Sequence, residues 1–452
     1  MTARATRSYS AHVRALLALG LPLIGSNLAQ MLLHVIDTVM LGWYGVTALA
    51  SVVIGSSAFF IVFILGSGFG IAVLGMVASA LGAGDTTQVR RDTRMGLWLS
   101  AGYGIAVVPL MWWSGPILRA AGQEQAVAAL AQDYLRIAGF GMAPALLIMV
   151  LKSYLSAFER TQVVLWVTLA SLGLNAGLNW ALIFGNWGAP ELGVRGAAIA
   201  TLAVQTSGAA LLAAYAGWQP ALRQFELFHR FWRPDWQAMH RVFRLGLPIG
   251  LTGLAEGGLF QASALMMGWL GAAALAAHGI ALELAALTFM VHLGLSNAAT
   301  VRVGRADGAR DARALRDAAA AAIVLSLAFG AAMVVLFLSA PEFLVALFLD
   351  DSDPGTAAIV AFGARLLAVA ALFQMFDAMQ VMALGLLRGV QDTRAPMWLA
   401  SISYWLVGIP ASYVLAFPLG FGGVGLWFGL VVGLALAAIL LMARFWRRRL
   451  QR

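Results

Sequence analysis

Cysteine is absent from all 452 residues, and charge is scarce, with Asp, Glu, Lys and Arg making up 11% of the chain. The first absence removes disulfides and thiolate metal sites. The second sets the chain apart from soluble proteins, which carry about twice that share of charge. Ten-residue segments of alternating apolar and polar side chains are missing too, which excludes a membrane β-barrel. What is there is apolar: 61% of the residues are hydrophobic, in stretches that recur along the whole chain. Many reach the roughly 20 residues needed to cross a bilayer. An all-α polytopic membrane protein is therefore expected, with the lipid bilayer as its surroundings. Its 49 glycines suit close helix–helix approach there.

Twelve spans are predicted, at about 14–42, 46–80, 92–113, 126–157, 160–185, 192–218, 237–268, 272–304, 312–338, 355–388, 395–417 and 422–445. The net charge of +9 is unevenly spread over their connections. Of 29 basic residues, 25 gather at the termini and in alternate loops, around Arg90, Arg91 and Arg94, Lys152 and Arg160, Arg223 to Arg244, Arg302 to Arg316, and Arg388 and Arg394. Only Arg119, Arg136, Arg195 and Arg365 fall on the other side. By the positive-inside rule, both termini and the 219–236 loop lie in the cytoplasm. The basicity is an orientation signal, and no nucleic-acid partner is expected. The first span is too long and too polar for a cleaved signal peptide.

The chain repeats itself. Residues 19–50 align without gaps to 245–276, with 14 of 32 positions identical, including "LGLP" and the pair "MLGWYG" and "MMGWLG". The same offset carries "GAGD" (82–85) onto "GARD" (308–311), and "FERTQVVLW" (158–166) matches "VQDTRAPMW" (390–398) in spacing. A six-helix unit has been duplicated. Six is even, so both copies enter the membrane in the same sense, as two six-helix lobes related by a pseudo-two-fold axis along the membrane normal. The expected organisation is an amino-terminal lobe (1–218), a cytoplasmic linker (219–236) and a carboxy-terminal lobe (237–452). A central cavity and a transporter follow more naturally from this than a receptor or a structural protein.

Polar side chains are placed on helical faces. In the first span Asn27, Gln30, His34 and Asp37 are spaced 3, 4 and 3 apart and share one face. An Asp at the centre of such a span costs roughly 2.5–3.5 kcal/mol, so it must be compensated or used. Thr168, Ser171, Asn175 and Asn179 share a face in the fifth span, and Thr201 stands in the sixth. In the second half Glu256 takes the repeat position of Gln30, and Ser263 that of Asp37. Gln374, Asp377 and Gln380 line the tenth span, and Glu283 stands in the eighth. Interhelical hydrogen bonding accounts for the Asn, Gln, Ser and Thr residues. Ionisable groups at depth mark ion or proton paths instead. A buried carboxylate can take a proton, a Na⁺ or an organic cation, and competition among them is the physical core of antiport. His278 and His292 are expected as satisfied packing groups, Lys152 as a snorkelling side chain near a helix end, and Asp133–Arg136 as a local ion pair.

In these motifs the chain resembles the multidrug and toxic compound extrusion (MATE) family, in its bacterial NorM-like branch. The likeness runs from about residue 14 to 445. It rests on "VIDTVMLG" in the first span, "GLNWALIFGNWGAPELGVRGAAIAT" at 177–201, "AAHGIALELAALTFM" at 276–290 and "LLRGVQDTRAP" at 386–396. The resemblance implies a monomeric efflux antiporter in the bacterial cytoplasmic membrane. It would export cationic or amphiphilic small molecules, without a cofactor, driven by Na⁺ or H⁺. It also implies a cation site at Asp37, Asn175, Asn179 and Thr201 in the amino-terminal lobe, supported by Gln30 and His34. In the carboxy-terminal lobe it implies an acidic pair, Glu256 and Asp377, with Na⁺ at either place. Two positions depart from the family pattern: Phe373 replaces a common Tyr, and Glu283 replaces a common Asn, adding a carboxylate.

Two rival functions share parts of this pattern. A lipid-linked precursor flippase would have the same architecture, but its cavity would be lined by Arg and Lys. An intramembrane aspartyl protease would use a GxGD motif such as "GAGD". Asp85, however, falls at a helix end, recurs in "GARD" and lacks a partner aspartate, so a helix-stop glycine explains the motif better. No enzyme activity is expected.

Overall fold

The computed structural model describes residues 9–349 and 355–450, and every regular element among them is a helix. The two ends expected in the cytoplasm, residues 1–8 and 451–452, lie outside the described residues. The long helices are α1 (Tyr9–Tyr44), α2 (Val46–Ala83), α3 (Thr86–Trp112), α4 (Gln125–Ala157), α5 (Thr161–Phe184) and α6 (Val194–Trp218). They continue with α7 (Trp236–Gly268), α8 (Ala272–Gly308), α9 (Ala312–Ser339), α10 (Thr356–Gly389), α11 (Arg394–Ala416) and α12 (Gly422–Leu450). Eleven of these are long and apolar enough to cross a membrane. The exception is α7, which has the length, at 33 residues, but is diluted by Glu256, Gln261 and several glycines.

The duplicated sequence folds into duplicated turns. After α2, Gly84 adopts φ 73°, and Asp85 N–H bonds to Ala80 O at 2.9 Å. After α8, Arg310 adopts φ 56°, and Asp311 N–H bonds to Ala306 O at the same distance. Each aspartate then caps the next helix, Asp85 accepting from Gln88 N–H at 2.8 Å and Asp311 from Ala314 N–H at 2.9 Å. The helix-stop explanation of "GAGD" therefore holds. Glu159 (φ 63°) and Gln391 (φ 57°) turn the chain after α4 and α10 in the same matched way.

Two compact units result, Gly25–Gly250 and Met1–Ile24 together with Leu251–Arg452, called here the amino and carboxy units. In the amino unit α4 packs against α2, α3 and α6, and α5 against α6. In the carboxy unit α10 packs against α8, α9 and α12. The unit boundaries fall inside α1 and α7. The first half of α7 lies on α2, where a Cβ added to Gly68 would stand 2.5 Å from Gly250 N. The first half of α1 lies on α8, where a Cβ on Gly294 would stand 2.9 Å from Ile24 N. Gly68 and Gly294 are repeat equivalents, as are Ile24 and Gly250, so one backbone-to-backbone contact is used twice.

The 219–236 segment is pinned to the start of α3. Arg94 donates to Leu227 O at 2.7 Å, to Glu226 O at 2.8 Å and to His229 O. Trp98 Nε1 donates to Phe231 O at 3.0 Å. Arg91 pairs with Asp235, which also caps α7 by accepting Ala238 N–H at 2.9 Å. In the first half of α7, Arg241 meets Asp92 at 3.1 Å.

Candidate functional site

In the amino unit the polar face of α1 divides into two clusters. The first forms around Asp37. Asn175 and Asn179 lie four residues apart on α5, so their amides leave the same face. Their Nδ2 groups donate to Asp37 Oδ1 at 3.1 and 2.6 Å. Asn179 Nδ2 also reaches Asn175 Oδ1 at 3.3 Å. Thr201 of α6 stands beside the carboxylate. Its hydroxyl makes no hydrogen bond of normal geometry, and Asn179 Oδ1 is likewise buried without a partner. Among the described residues no arginine or lysine pairs with Asp37. His34 lies one turn earlier on α1, with its side chain exposed. A carboxylate ringed by amide N–H groups and unused neutral oxygens suits a proton or a hard, oxygen-preferring cation such as Na⁺.

The second cluster corrects an expectation. Lys152 does not snorkel: it is 7% exposed and points inward from α4. Its Nζ donates to Asn27 Oδ1 at 2.9 Å and lies 3.5 Å from Gln30 Oε1. Gln30 therefore belongs with Lys152 rather than with Asp37. Snorkelling depends on which helix face a side chain occupies, and this one faces α1.

In the carboxy unit, α7 and α10 bring Glu256 and Asp377 within electrostatic reach of one another. Asp377 is 4% exposed, and its Oδ1 lacks a hydrogen-bond partner, as does Glu256 Oε1. Gln374 is buried with both ends of its amide unpaired. Two groups missed from sequence complete the cluster. Tyr404 of α11 is fully buried, takes a hydrogen bond from Gln380 Nε2, and is close enough to feel both carboxylates. It sits in a π-helical stretch, Ile402–Gly408, just ahead of Pro410, whose missing N–H disturbs the helical ladder. The second group is Arg388, the basic residue near Glu256. Only the polar run "SISY" inside an apolar span could have flagged Tyr404. Phe373 packs edge-on against Phe260 and Trp427, and offers no oxygen. Glu283 is exposed on α8 and is not brought to the pair.

The remaining expectations are local. His278 takes a hydrogen bond from Trp427 Nε1 at 3.1 Å, and His292 Nδ1 lies 2.9 Å from Ser326 Oγ. Asp133 does pair with Arg136, at 3.8 Å, but meets Arg195 more closely at 2.8 Å.

Residues 22–181 and 248–414 match the MatE family model. A Rhizobium meliloti protein named probable multidrug resistance protein NorM is 48% identical, over 98% of this chain and 95% of its own. A protein of the same name from Agrobacterium fabrum is 46% identical, over 97% of this chain and 94% of its own. A solved structure described as MATE in the bent conformation matches the fold with a TM-score of 0.88 at 21% identity, covering 99% of this chain and 98% of that one.

Proposed function

The chain belongs to the MatE family, as a bacterial NorM-like member of the multidrug and toxic compound extrusion transporters, and on that premise we propose that it is a secondary active antiporter. It exports organic cations or amphiphilic drugs in exchange for Na⁺ or H⁺ by alternating access. It works as a monomer in the bacterial cytoplasmic membrane, with both termini and the 219–236 segment in the cytoplasm.

The observation that carries this reading is the Asp37 carboxylate, held by two amide N–H groups and, among the described residues, paired with no arginine or lysine. Its charge gives an entering ion something to neutralise. An ion that binds one access state more tightly than the other shifts their balance by that difference in affinity, and one without such preference shifts nothing. Asn175, Asn179 and Thr201 orient the carboxylate and supply neutral oxygens. Glu256 and Asp377 provide a second acidic locus for an organic cation or a further ion. The deep charges include three carboxylates, Asp37, Glu256 and Asp377, where a flippase for pyrophosphate-linked lipids would need mainly basic groups.

The test is substrate efflux from proteoliposomes with the Na⁺ and proton gradients imposed separately. Efflux that follows one gradient identifies the coupling ion. Efflux indifferent to both overturns the antiport reading.

A further inference from the structure

Lys152 is the only lysine among 29 basic residues, and arginine fills the other 28 positions. It is also buried, and its ammonium faces neutral side-chain oxygens of Asn27 and Gln30. Among the described residues it belongs to no salt bridge. A charge at membrane depth is expensive, and where it serves structure alone it is normally paired with an opposite charge. Arginine keeps its proton under all conditions met by a protein, whereas a lysine can release one. This buried site without a salt bridge is thus also the one place where the chain departs from arginine.

The surroundings leave that proton unopposed. Helices α2 and α5 carry no charged side chain. On α6 the titratable groups are Arg195 and Tyr215, and on α3 they are Arg90, Arg91, Asp92, Arg94 and Tyr103. Tyr134 and Tyr154 lie on α4 itself, with Asp133 and Arg136, and His34 and Asp37 lie further along α1. The polar contacts of Lys152 are instead with Asn27 and Gln30. The repeat supplies an independent observation. Gln30 corresponds to Glu256, and Lys152 corresponds to Leu384. The amino unit therefore sets an amide and an amine where the carboxy unit sets a carboxylate and a hydrocarbon.

We propose that Lys152 is a proton-exchange site of the amino unit, in addition to Asp37, and this rests on the antiport reading above. In each cycle an N–H bond of the ammonium breaks, the proton passes to water at the nearby end of α4, and the electron pair stays on Nζ. A proton is taken back when the unit returns. The ammonium holds α1 through two charge-assisted hydrogen bonds, which are about twice as strong as those of a neutral amine. Gln30 and Asp37 are two turns apart on the same helix, so loosening one end of that face is felt at the other.

A chain with a single lysine can be labelled at one atom, the ¹⁵Nζ of Lys152, in the intact reconstituted protein. The side-chain ¹⁵N shift then reports its charge as pH is varied. The expected result is a switch between ammonium and amine within the pH range over which efflux operates. Alongside it, Lys152→Arg should fold with an unchanged melting temperature, yet lose proton-driven efflux by about tenfold or more, since arginine cannot release its proton. A lysine that keeps one charge state throughout that range overturns the proposal. So does an arginine variant with wild-type efflux and pH profile, which would make Lys152 a tether. If arginine prevents folding, the ¹⁵N titration of the wild-type protein decides alone. A wild-type protein that moves no substrate overturns the antiport reading instead, and the two failures are distinguishable.

Discussion

Asn179 Nδ2 stands 2.6 Å from Asp37 Oδ1, joining the last turns of α5 to α1 through one short hydrogen bond between a neutral amide and a carboxylate. An asparagine at position 37 would keep a carbonyl oxygen to accept that bond. The Asp37→Asn protein should therefore be at least as stable as the parent, since it sheds a burial cost of about 3 kcal/mol. Without a titratable charge it should pump near background. Paired melting temperatures and gradient-driven efflux on one preparation check this. Normal efflux, or lost efflux explained by unfolding, would remove Asp37 from the coupling role.

In the carboxy unit, Asp377→Asn should lower efflux severely at normal membrane expression, and Glu256→Gln should do the same. Their oxygens Asp377 Oδ1 and Glu256 Oε1 are buried without partners, so neutral amides fit sterically while losing the attraction for a cation. The readout is efflux rate normalised to protein in the membrane. Unchanged transport in both variants would reduce the pair to structural polar groups.

Gly68→Ala should destabilise the amino unit, because the new Cβ would lie 2.5 Å from Gly250 N, on backbone that cannot step aside cheaply. Gly173→Ala on α5 is the control, since its Cβ would meet nothing within 4 Å. Removing a helical glycine at an open position gains roughly 0.5–1 kcal/mol. The two variants should shift the melting temperature in opposite directions, Gly68→Ala downward by several degrees and Gly173→Ala upward or not at all. A harmless Gly68→Ala would mean that α2 and α7 are less tightly apposed than described.

The 219–236 segment should detach in Arg94→Ala, which loses the bonds to Leu227 O, Glu226 O and His229 O. Each hydrogen bond from a charged donor is worth roughly 1.5–3 kcal/mol. Hydrogen exchange over residues 219–236 should accelerate by about tenfold or more. Acid acts on the neighbouring anchor. The hydrogen bond from Arg91 holds the Asp235 carboxyl below its ordinary value of 3.8. Its contribution is therefore fully present above that value and is lost as pH falls through the lower folded value. Protection of this segment, taken relative to the intrinsic exchange rate at each pH, should be flat between about pH 5 and 8 and fall only in stronger acid. A loss of protection near neutrality would assign the docking to another group.

Much of the fold is legible because it is written twice. The apolar spans set the helices, and the repeated "GAGD" and "GARD" set the same turn. The meeting of Asp37 with Asn175 and Asn179 is legible for a related reason. Polar residues at helical spacing in apolar spans have few places to turn except toward each other. Lys152 is not legible in the same way, since a lysine near a helix end can reach either the interface or the interior, and the difference is one of helix face. Glu283 shows the converse, an exposed carboxylate within a span that no described contact joins to Glu256 or Asp377. Tyr404 lay hidden because it acts through a distorted turn, and the position of Pro410 is the only hint of that distortion. The unit boundaries inside α1 and α7 are invisible in the repeat, which divides the chain at the linker, because they depend on which helix each glycine meets.

Those boundaries dictate an order of assembly. Gly250 completes the amino unit, so that unit can close once α7 has entered the membrane. Ile24 must wait for Gly294, about 270 residues later in the chain. At about 5–20 residues per second, that interval lasts roughly 15 to 55 s on the ribosome. The first segment made is thus among the last to find its place.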